Sequence, residues 1–261
     1  LNKLQEIFEW KRQEVEAAKR IVPVSDYLDL VGQLEPSKGF LNALTNSTHS
    51  VSLIAEVKKA SPSAGVIREN FFPGEIARAY RMAGADCLSV LTDEKYFGGH
   101  MRNVPMAKEV SGLPVLRKDF IFDSYQLYEA RAWGADAILL IVAMLEPTQL
   151  KELHKEAEEI GLDVLVEVHS ESEADIALSI HADLVGINNR DLSTFQTDLS
   201  ITERIGPLLR EQCHIVSESA LASADDVKRV QWAGAKSVLI GTAFCSALDV
   251  EGKVREVMDW L

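Results

Sequence analysis

Charged and amide side chains recur in this sequence at the ends of short apolar runs, where a β-strand would hand them to a loop. Glu56 and Lys58 follow SLIA, Lys118 and Asp119 follow PVLR, and Glu167 and His169 close VLVEVH. Asn188, Asn189 and Arg190 follow LVGI, and Glu218 with Ser219 follows HIVS. An unpaired charge on a buried strand is costly, so a solvated pocket with mutual ion pairing accounts for the set better than a dry core. Lysines and carboxylates gathered in this way suit general acid–base chemistry. A lysine Schiff base stays open at this point, because Lys58 and Lys118 both lie at strand ends. Ser219 stands between Glu218 and Ala220 with no evident histidine partner, which argues against a serine nucleophile. His49, His100, His154, His169, His181 and His214 lack paired ligand spacing, so no metal is expected.

The elements that must position these residues follow from the alternation of apolar runs with longer mixed segments. The candidate strands are 52–57, 87–92, 114–118, 137–142, 164–168, 184–187, 214–218 and 237–241. Helical spacing covers 74–82, 104–110, 124–133, 147–160, 171–179, 199–209 and 224–232. Eight strands with intervening helices in roughly 210 residues match the size of an α/β chain folded as a (β/α)8 TIM barrel. A weak repeat agrees: GADCLSV at Gly84, GADAILL at Gly134, HADLVGI at His181 and GAKSVLI at Gly234 start 50, 47 and 53 residues apart. Each copy ends a helix with a small residue and begins a strand two or three residues on, so the period spans two βα units. An open doubly wound sheet lacks support, since no GxGxxG follows a strand. In a barrel, catalytic groups sit at the carboxyl ends of the strands, and the polar residues above converge on one mouth.

Residues 1–50 differ from the barrel of 51–261. Leu4, Ile7, Phe8, Lys11, Val15 and Ala18 recur at helical spacing, and Pro23 should stop that helix near Ile21. A second amphipathic piece is expected over 25–31 with Ser25 as its cap, and a short one over 40–44. Neither buries its apolar face alone, so the expectation is a helical extension packed on the barrel as part of one domain. A sharper version has it closing a mouth of the barrel over substrate.

Composition excludes several classes. The 261 residues carry 27 Lys and Arg against 40 Asp and Glu, a formal charge of -13 that repels nucleic acid and anionic membranes. The longest apolar run, Ala137 to Leu145, has nine residues where a membrane span needs about 20. The amphipathic, charged start does not read as a secretory signal. Cys87, Cys213 and Cys245, odd in number and set among apolar neighbours, suit reduced thiols in a cytoplasmic protein.

The strings IAEVKKASPSAG (54–65), VLTDEKYFGG (90–99), PVLRKDFI (114–121), YEARAWGADAILL (128–140), LVEVH (165–169), GINNRDLSTFQTDL (186–199), VSES (216–219) and LIG (239–241) arrive in the order of a known family. The chain resembles indole-3-glycerol phosphate synthase of tryptophan biosynthesis over nearly its whole length. The resemblance implies decarboxylating and dehydrating ring closure of 1-(2-carboxyphenylamino)-1-deoxyribulose 5-phosphate to indole-3-glycerol phosphate, with no cofactor and no metal. It places Lys118 as general acid toward the ribulose carbonyl and Glu167 as acid/base for the dehydration. It also places Lys58 on the substrate carboxylate or phosphate side and Glu56 as the group that orients the lysines. Asn188 and Arg190 would position the anthranilate portion, with Glu218 and Ser219 completing the hydrogen-bonded shell. Ser61, Pro62, Ser63 and Phe120 would flank the aromatic ring, and Ala220, Gly241 and Thr242 would bind the phosphate.

The acid role suits a lysine whose pKa is lowered by Lys58 and Arg190, and the dehydration suits a Glu167 whose pKa is raised by apolar walls. The sequence departs from the family at Ala220, which stands in place of Gly, at His100 in place of Ser, and at Ala64 in place of Lys. The alternatives are another phosphosugar-handling barrel enzyme and a non-catalytic barrel that binds a phosphorylated metabolite. The expected partner is a small phosphorylated aromatic-sugar substrate, with association or former fusion to another tryptophan-pathway domain as a further expectation.

Overall fold

The computed structural model of the protein describes residues 3–191 and 194–260, so Leu1, Asn2 and Leu261 at the expected domain bounds, and Leu192 and Ser193 of the 186–199 motif, lie outside the described residues. The eight expected strands form: β1 Ser52–Val57, β2 Cys87–Leu91, β3 Val115–Lys118, β4 Ala137–Ile141, β5 Asp163–Val168, β6 Leu184–Asn188, β7 His214–Glu218 and β8 Ser237–Ile240. All eight are parallel and close into a barrel in sequence order. Ser52 pairs with Ser237 where β1 meets β8, and Ile54 pairs with Cys87 where β1 meets β2.

The strands alternate with a period of two. One face carries Leu53, Ala55, Val57, Leu88, Val90, Ile138, Leu140, Val166, Val185 and Ile215 out to the surrounding helices. The other carries Ile54, Cys87, Leu116, Leu139, Leu165, Leu184, Val216 and Leu239 into the barrel. Both faces are apolar through the middle layers, as expected of a parallel sheet covered on both sides. The repeated Gly-Ala-Asp start has a physical reading. Gly84, Gly134 and Gly234 take left-handed φ values of 97°, 88° and 109°, and His181 does so without being glycine, at 60°. The next alanines are buried, and Asp86 and Asp136 turn back to accept the amides of Leu53 and Val115 at 2.8 and 2.9 Å.

The N-terminal extension reaches both ends of the barrel. It comprises α1 Lys3–Ile21, α2 Val24–Val31 and α3 Phe40–Thr45. Phe40 and Leu44 of α3 enter the barrel's amino-terminal end and pack on Ile54, Cys87, Leu116 and Leu184. Asp136 and Asp163 hold that plug through the amides of Lys38 and Leu41, at 2.7 and 2.9 Å. Helix α1 lies across the opposite end, with Ile7 and Val15 buried and Phe8 edge-on to Phe122 at 5.1 Å. One detail differs from expectation: α2 starts at Val24 with Pro23 at its cap, and no side chain caps it. Proline fixed near -65° already supplies the entry geometry there, so Ser25 falls inside the first turn.

The outer helices are α4 Pro73–Ala83, α5 Glu94–Phe97, α6 Asn103–Ser111, α7 Ser124–Ala132, α8 Pro147–Glu159, α9 Glu171–Ser179, α10 Ser200–Leu209, α11 Ala224–Trp232, α12 Thr242–Cys245 and α13 Val250–Met258. The expected helical segments did not include α5, α12 or α13; α5 and α12, at four residues, are too short to show a period. A two-residue ladder, Ala60–Ser61 with Gly65–Val66, shapes the loop after β1. Among the described residues, no helix is long and apolar enough to cross a membrane.

Candidate active site

The inward period of two converts the apolar layer into a polar one at the carboxyl end. Two residues beyond Ile54, Leu116, Leu165 and Val216 stand Glu56, Lys118, Glu167 and Glu218, on the same face of their strands. Glycine makes room for two of the carboxylates. A Cβ on Gly186 would sit 2.1 Å from Glu218 Oε1, and one on Gly241 would sit 2.2 Å from Glu56 Oε1. The walls enclose a cavity of about 400 Å³ that opens at this end.

Charge pairing organises the floor of the cavity. Lys58 Nζ lies 2.5 Å from Glu56 Oε1, and Lys118 Nζ lies 3.7 Å from Glu167 Oε2 while in close contact with Glu218 Oε2. His169 stands between two carboxylates, with Nε2 3.3 Å from Glu167 and Nδ1 3.2 Å from Glu173. The Asn188 side chain hydrogen-bonds Glu167 and accepts the Arg190 amide at 3.0 Å. Glu218 Oε1 is buried without a hydrogen-bond partner among the described residues.

Two protonation expectations are corrected by this arrangement. Burial alone would lower the Lys118 pKa, but Glu218, Glu167 and Glu56 outweigh it and hold the ammonium charged above the usual lysine range. Lys58 and Arg190 therefore do not set its acidity. Burial would raise Glu167, yet the hydrogen bond from His169 and the charge of Lys118 bring it down to about 2. The carboxyl whose pKa is pushed up is Glu218: burial and the neighbouring charge of Glu167 outweigh Lys118 and raise it to about 7. The same competition lifts His169 to about 10, because Glu167 and Glu173 overcome the cost of burying its charge.

Of the residues expected in the site, Glu56, Lys58, Ser61, Pro62, Ser63, Lys118, Phe120, Glu167, Asn188, Arg190, Ser219, Ala220, Gly241 and Thr242 line this one cavity. Glu218 lies beneath it, on Lys118. Arg190 also donates to the Phe195 carbonyl at 2.9 Å, which fixes its own loop. Asn189, grouped with the mouth residues from sequence, is instead a buried structural amide that bonds Ser217, Thr202 and the Glu218 carbonyl. Ser219 and Ala220 both take left-handed φ of 64°, so the alanine holds a conformation that glycine adopts without penalty. The turn beyond starts α11 as expected: Ser223 caps it, and Asp226 accepts the amides of Ala222 and Ser223 at 3.0 Å.

Several lining residues were not singled out from sequence. Leu4 and Ile7 come from α1, Phe97 from α5, and Phe195 and Thr197 from the loop after β6. Phe97 lies within the YFGG string, and Leu4 and Ile7 within the apolar stripe of α1, so a signal existed for the last two without a direction. The structure supplies it: α1 turns Leu4 and Ile7 of that stripe onto the cavity.

The family model of indole-3-glycerol phosphate synthase matches residues 4–257. An indole-3-glycerol phosphate synthase from Chlorobium phaeovibrioides is 47% identical over 254 residues, covering 97% of both chains. Those from Dehalococcoides mccartyi and Neisseria meningitidis serogroup B are each 45% identical, covering 94% and 97% of this chain and 95% and 98% of their own. Among solved structures, a 3-hexulose-6-phosphate synthase superposes with TM-score 0.63 at 14% identity, covering 81% of this chain and 100% of that one. An orotidine 5'-phosphate decarboxylase from Pyrococcus horikoshii does so with TM-score 0.60 at 14%, covering 79% and 97%. Those two likenesses show the barrel fold alone. The family match spans every strand of the barrel, and the chain accordingly belongs to the indole-3-glycerol phosphate synthase family, a carbon–carbon lyase of tryptophan biosynthesis.

Proposed function

We propose that the cavity performs the family's ring closure with Lys118 as general acid, Glu167 as base and Glu218 as the proton store between them. The reaction converts 1-(2-carboxyphenylamino)-1-deoxyribulose 5-phosphate to indole-3-glycerol phosphate, carbon dioxide and water. In the first step the aromatic carbon that bears the carboxylate attacks the ribulose carbonyl carbon, and Lys118 delivers a proton to the carbonyl oxygen. A charged lysine held at the cavity floor has the right protonation state for that transfer. Loss of carbon dioxide returns the bonding electrons to the ring. The new hydroxyl then leaves as water with a second proton, while the methylene beside the nitrogen loses one, so the sequence consumes one proton overall.

Glu167, kept ionised by His169 and Lys118, supports the base role in the last step. Glu218, raised to about 7 and in contact with Lys118, supports the role of returning a proton to that lysine. Lys58, fixed by Glu56, holds the substrate carboxylate, and Arg190 with Asn188 orients the anthranilate ring. Ser61, Pro62, Ser63 and Phe120 flank that ring. Backbone amides of Ala220, Gly241 and Thr242 take the phosphate at the ends of β7 and β8, where barrels commonly bind one.

The observation that carries this reading is the ammonium of Lys118 set between the carboxylates of Glu167 and Glu218 at the floor of the cavity. Incubating the protein with the ribulotide and following indole fluorescence together with released carbon dioxide tests it. Equal amounts of both are expected. Binding without an indole product would overturn the catalytic reading in favour of a barrel that only binds phosphorylated metabolites.

A further inference from the structure

We propose that Lys11 of α1 is a positioning residue for ring closure: it binds the N-terminal helix to the segment that presents Lys118 and Phe120. The proposal rests on the reading of Lys118 as the acid. Lys11 is 1% exposed, and its Nζ lies 2.8 Å from Asp93 Oδ2, 2.9 Å from Asp119 Oδ1 and 2.8 Å from Glu14 Oε1. Asp93 and Asp119 are themselves buried, at 0% and 3% exposure, and they belong to the loops after β2 and β3.

Each aspartate builds part of the cavity wall. Asp93 caps α5 by accepting the Tyr96 amide at 2.7 Å, and α5 carries Phe97 into the cavity. Asp119 directly follows Lys118 and, besides Lys11, accepts the Phe120 amide at 2.8 Å, the Thr92 hydroxyl at 2.6 Å and Arg117 at 3.2 Å. The Phe97 and Phe120 rings stand 6.0 Å apart, so the two aspartates set two aromatic walls as well as the backbone of Lys118. Arg117 shares its charge between Asp119 and Glu129, which leaves Lys11 as the cation that joins Asp93 to Asp119.

A buried ion pair is weak support for stability, because apolar residues of like volume often serve as well. Its strength is directional. With one cation removed, two buried carboxylates on adjacent loops lose their common partner, and the Thr92 contacts to Asp119 and the Lys118 carbonyl are left to hold the loops against the repulsion. The same helix supplies Leu4 and Ile7 to the cavity and is tied further to α5 by Tyr96 on Glu6 and to the segment after β3 by Lys19 on Asp123, and Lys11 is the fully buried one of these ties.

The test compares Lys11→Met and Lys11→Arg with Leu44→Ala, a control at the far end of the barrel chosen to lower Tm without touching the mouth. In Lys11→Met, kcat is expected to fall roughly 10- to 100-fold, the scale of a small misplacement of a catalytic group, with KM carrying the lesser share. Amide exchange at Tyr96 and Phe120 should accelerate in the same variant. Lys11→Arg should recover most of both effects, and Leu44→Ala should show neither despite its lower Tm. Native kcat with unchanged protection of Phe120 in Lys11→Met would overturn the proposal, as would a kcat loss matched by Leu44→Ala. A native protein that does not turn over the ribulotide would instead remove the reading of the reaction, while amide exchange still decides whether Lys11 holds the loop.

Discussion

The two ends of this barrel are closed by the same 50-residue extension in opposite ways. At the amino-terminal end, Phe40 and Leu44 fill the interior, and Asp136 and Asp163 accept the amides that enter with them. At the carboxyl end, α1 leaves a cavity of about 400 Å³, roofs it with Leu4 and Ile7, and anchors itself through a buried lysine. The plugged end satisfies its aspartates largely on backbone amides, with Lys108 as an added partner of Asp136. The other crowds Glu56, Glu167 and Glu218 against Lys58 and Lys118 and leaves Glu218 Oε1 without a hydrogen-bond partner among the described residues. The contrast shows where folding and function divide: the plugged end is built for stability, and the open end keeps charges ready for a substrate at some cost to it.

The sharpest way to break the comparison is to remove one group from each end. Lys118→Ala should reduce turnover by roughly 10²-fold or more, the usual worth of a general acid, while phosphate-driven binding persists. Steady-state rates and direct substrate binding on one preparation check this, and near-normal turnover would move the acid role to Lys58. At the plugged end, Leu44→Ala should cost about 2–5 kcal/mol of stability with kcat little changed, since it deletes a core side chain remote from the chemistry. Denaturant unfolding alongside kinetics measures both, and a kcat loss comparable to that of Lys118→Ala would erase the division between the ends.

A smaller effect comes from proton linkage at the mouth. The Glu218 pKa is raised from 4.5 to about 7 in the folded chain, so the fold binds its proton more tightly than the unfolded chain does. Its contribution is full below about pH 4.5 and is lost as pH rises through about 7. Glu167, lowered from 4.5 to about 2, acts in the other direction: its contribution is present above 4.5 and is lost as pH falls toward 2. Tm measured from pH 4.5 to 8 should therefore decline less in Glu218→Gln than in the native protein. Parallel curves would mean that Glu218 carries no proton near neutrality.

The smallest expected change is at Ala220. Its φ of 64° suits glycine, so Ala220→Gly relieves a strained alanine and opposes the loss of chain entropy that glycine brings, about 0.5–1 kcal/mol. Stability should stay close to native, and phosphate binding should tighten slightly as the methyl leaves the cavity wall. Titration with the phosphorylated product and with its dephosphorylated counterpart isolates that term. An unchanged difference between the two affinities would remove the steric argument.

Much of the barrel was legible in the chain. Short apolar runs such as SLIAEV and HIVSE, separated by longer mixed segments, specify strands, and the charges at their ends specify a polar layer where the strands meet their loops. The Gly-Ala-Asp repeat likewise marks the places where helices stop, since glycine alone takes a left-handed turn freely. Spacing also gave α1 an apolar stripe. What it could not give was the direction of that stripe, the pairing of Lys11 with Asp93 and Asp119, or the upward pKa shift falling on Glu218 in place of Glu167. Those depend on distances between residues far apart in the chain, and the energy of a buried charge is set by the neighbours that closure of the barrel brings to it.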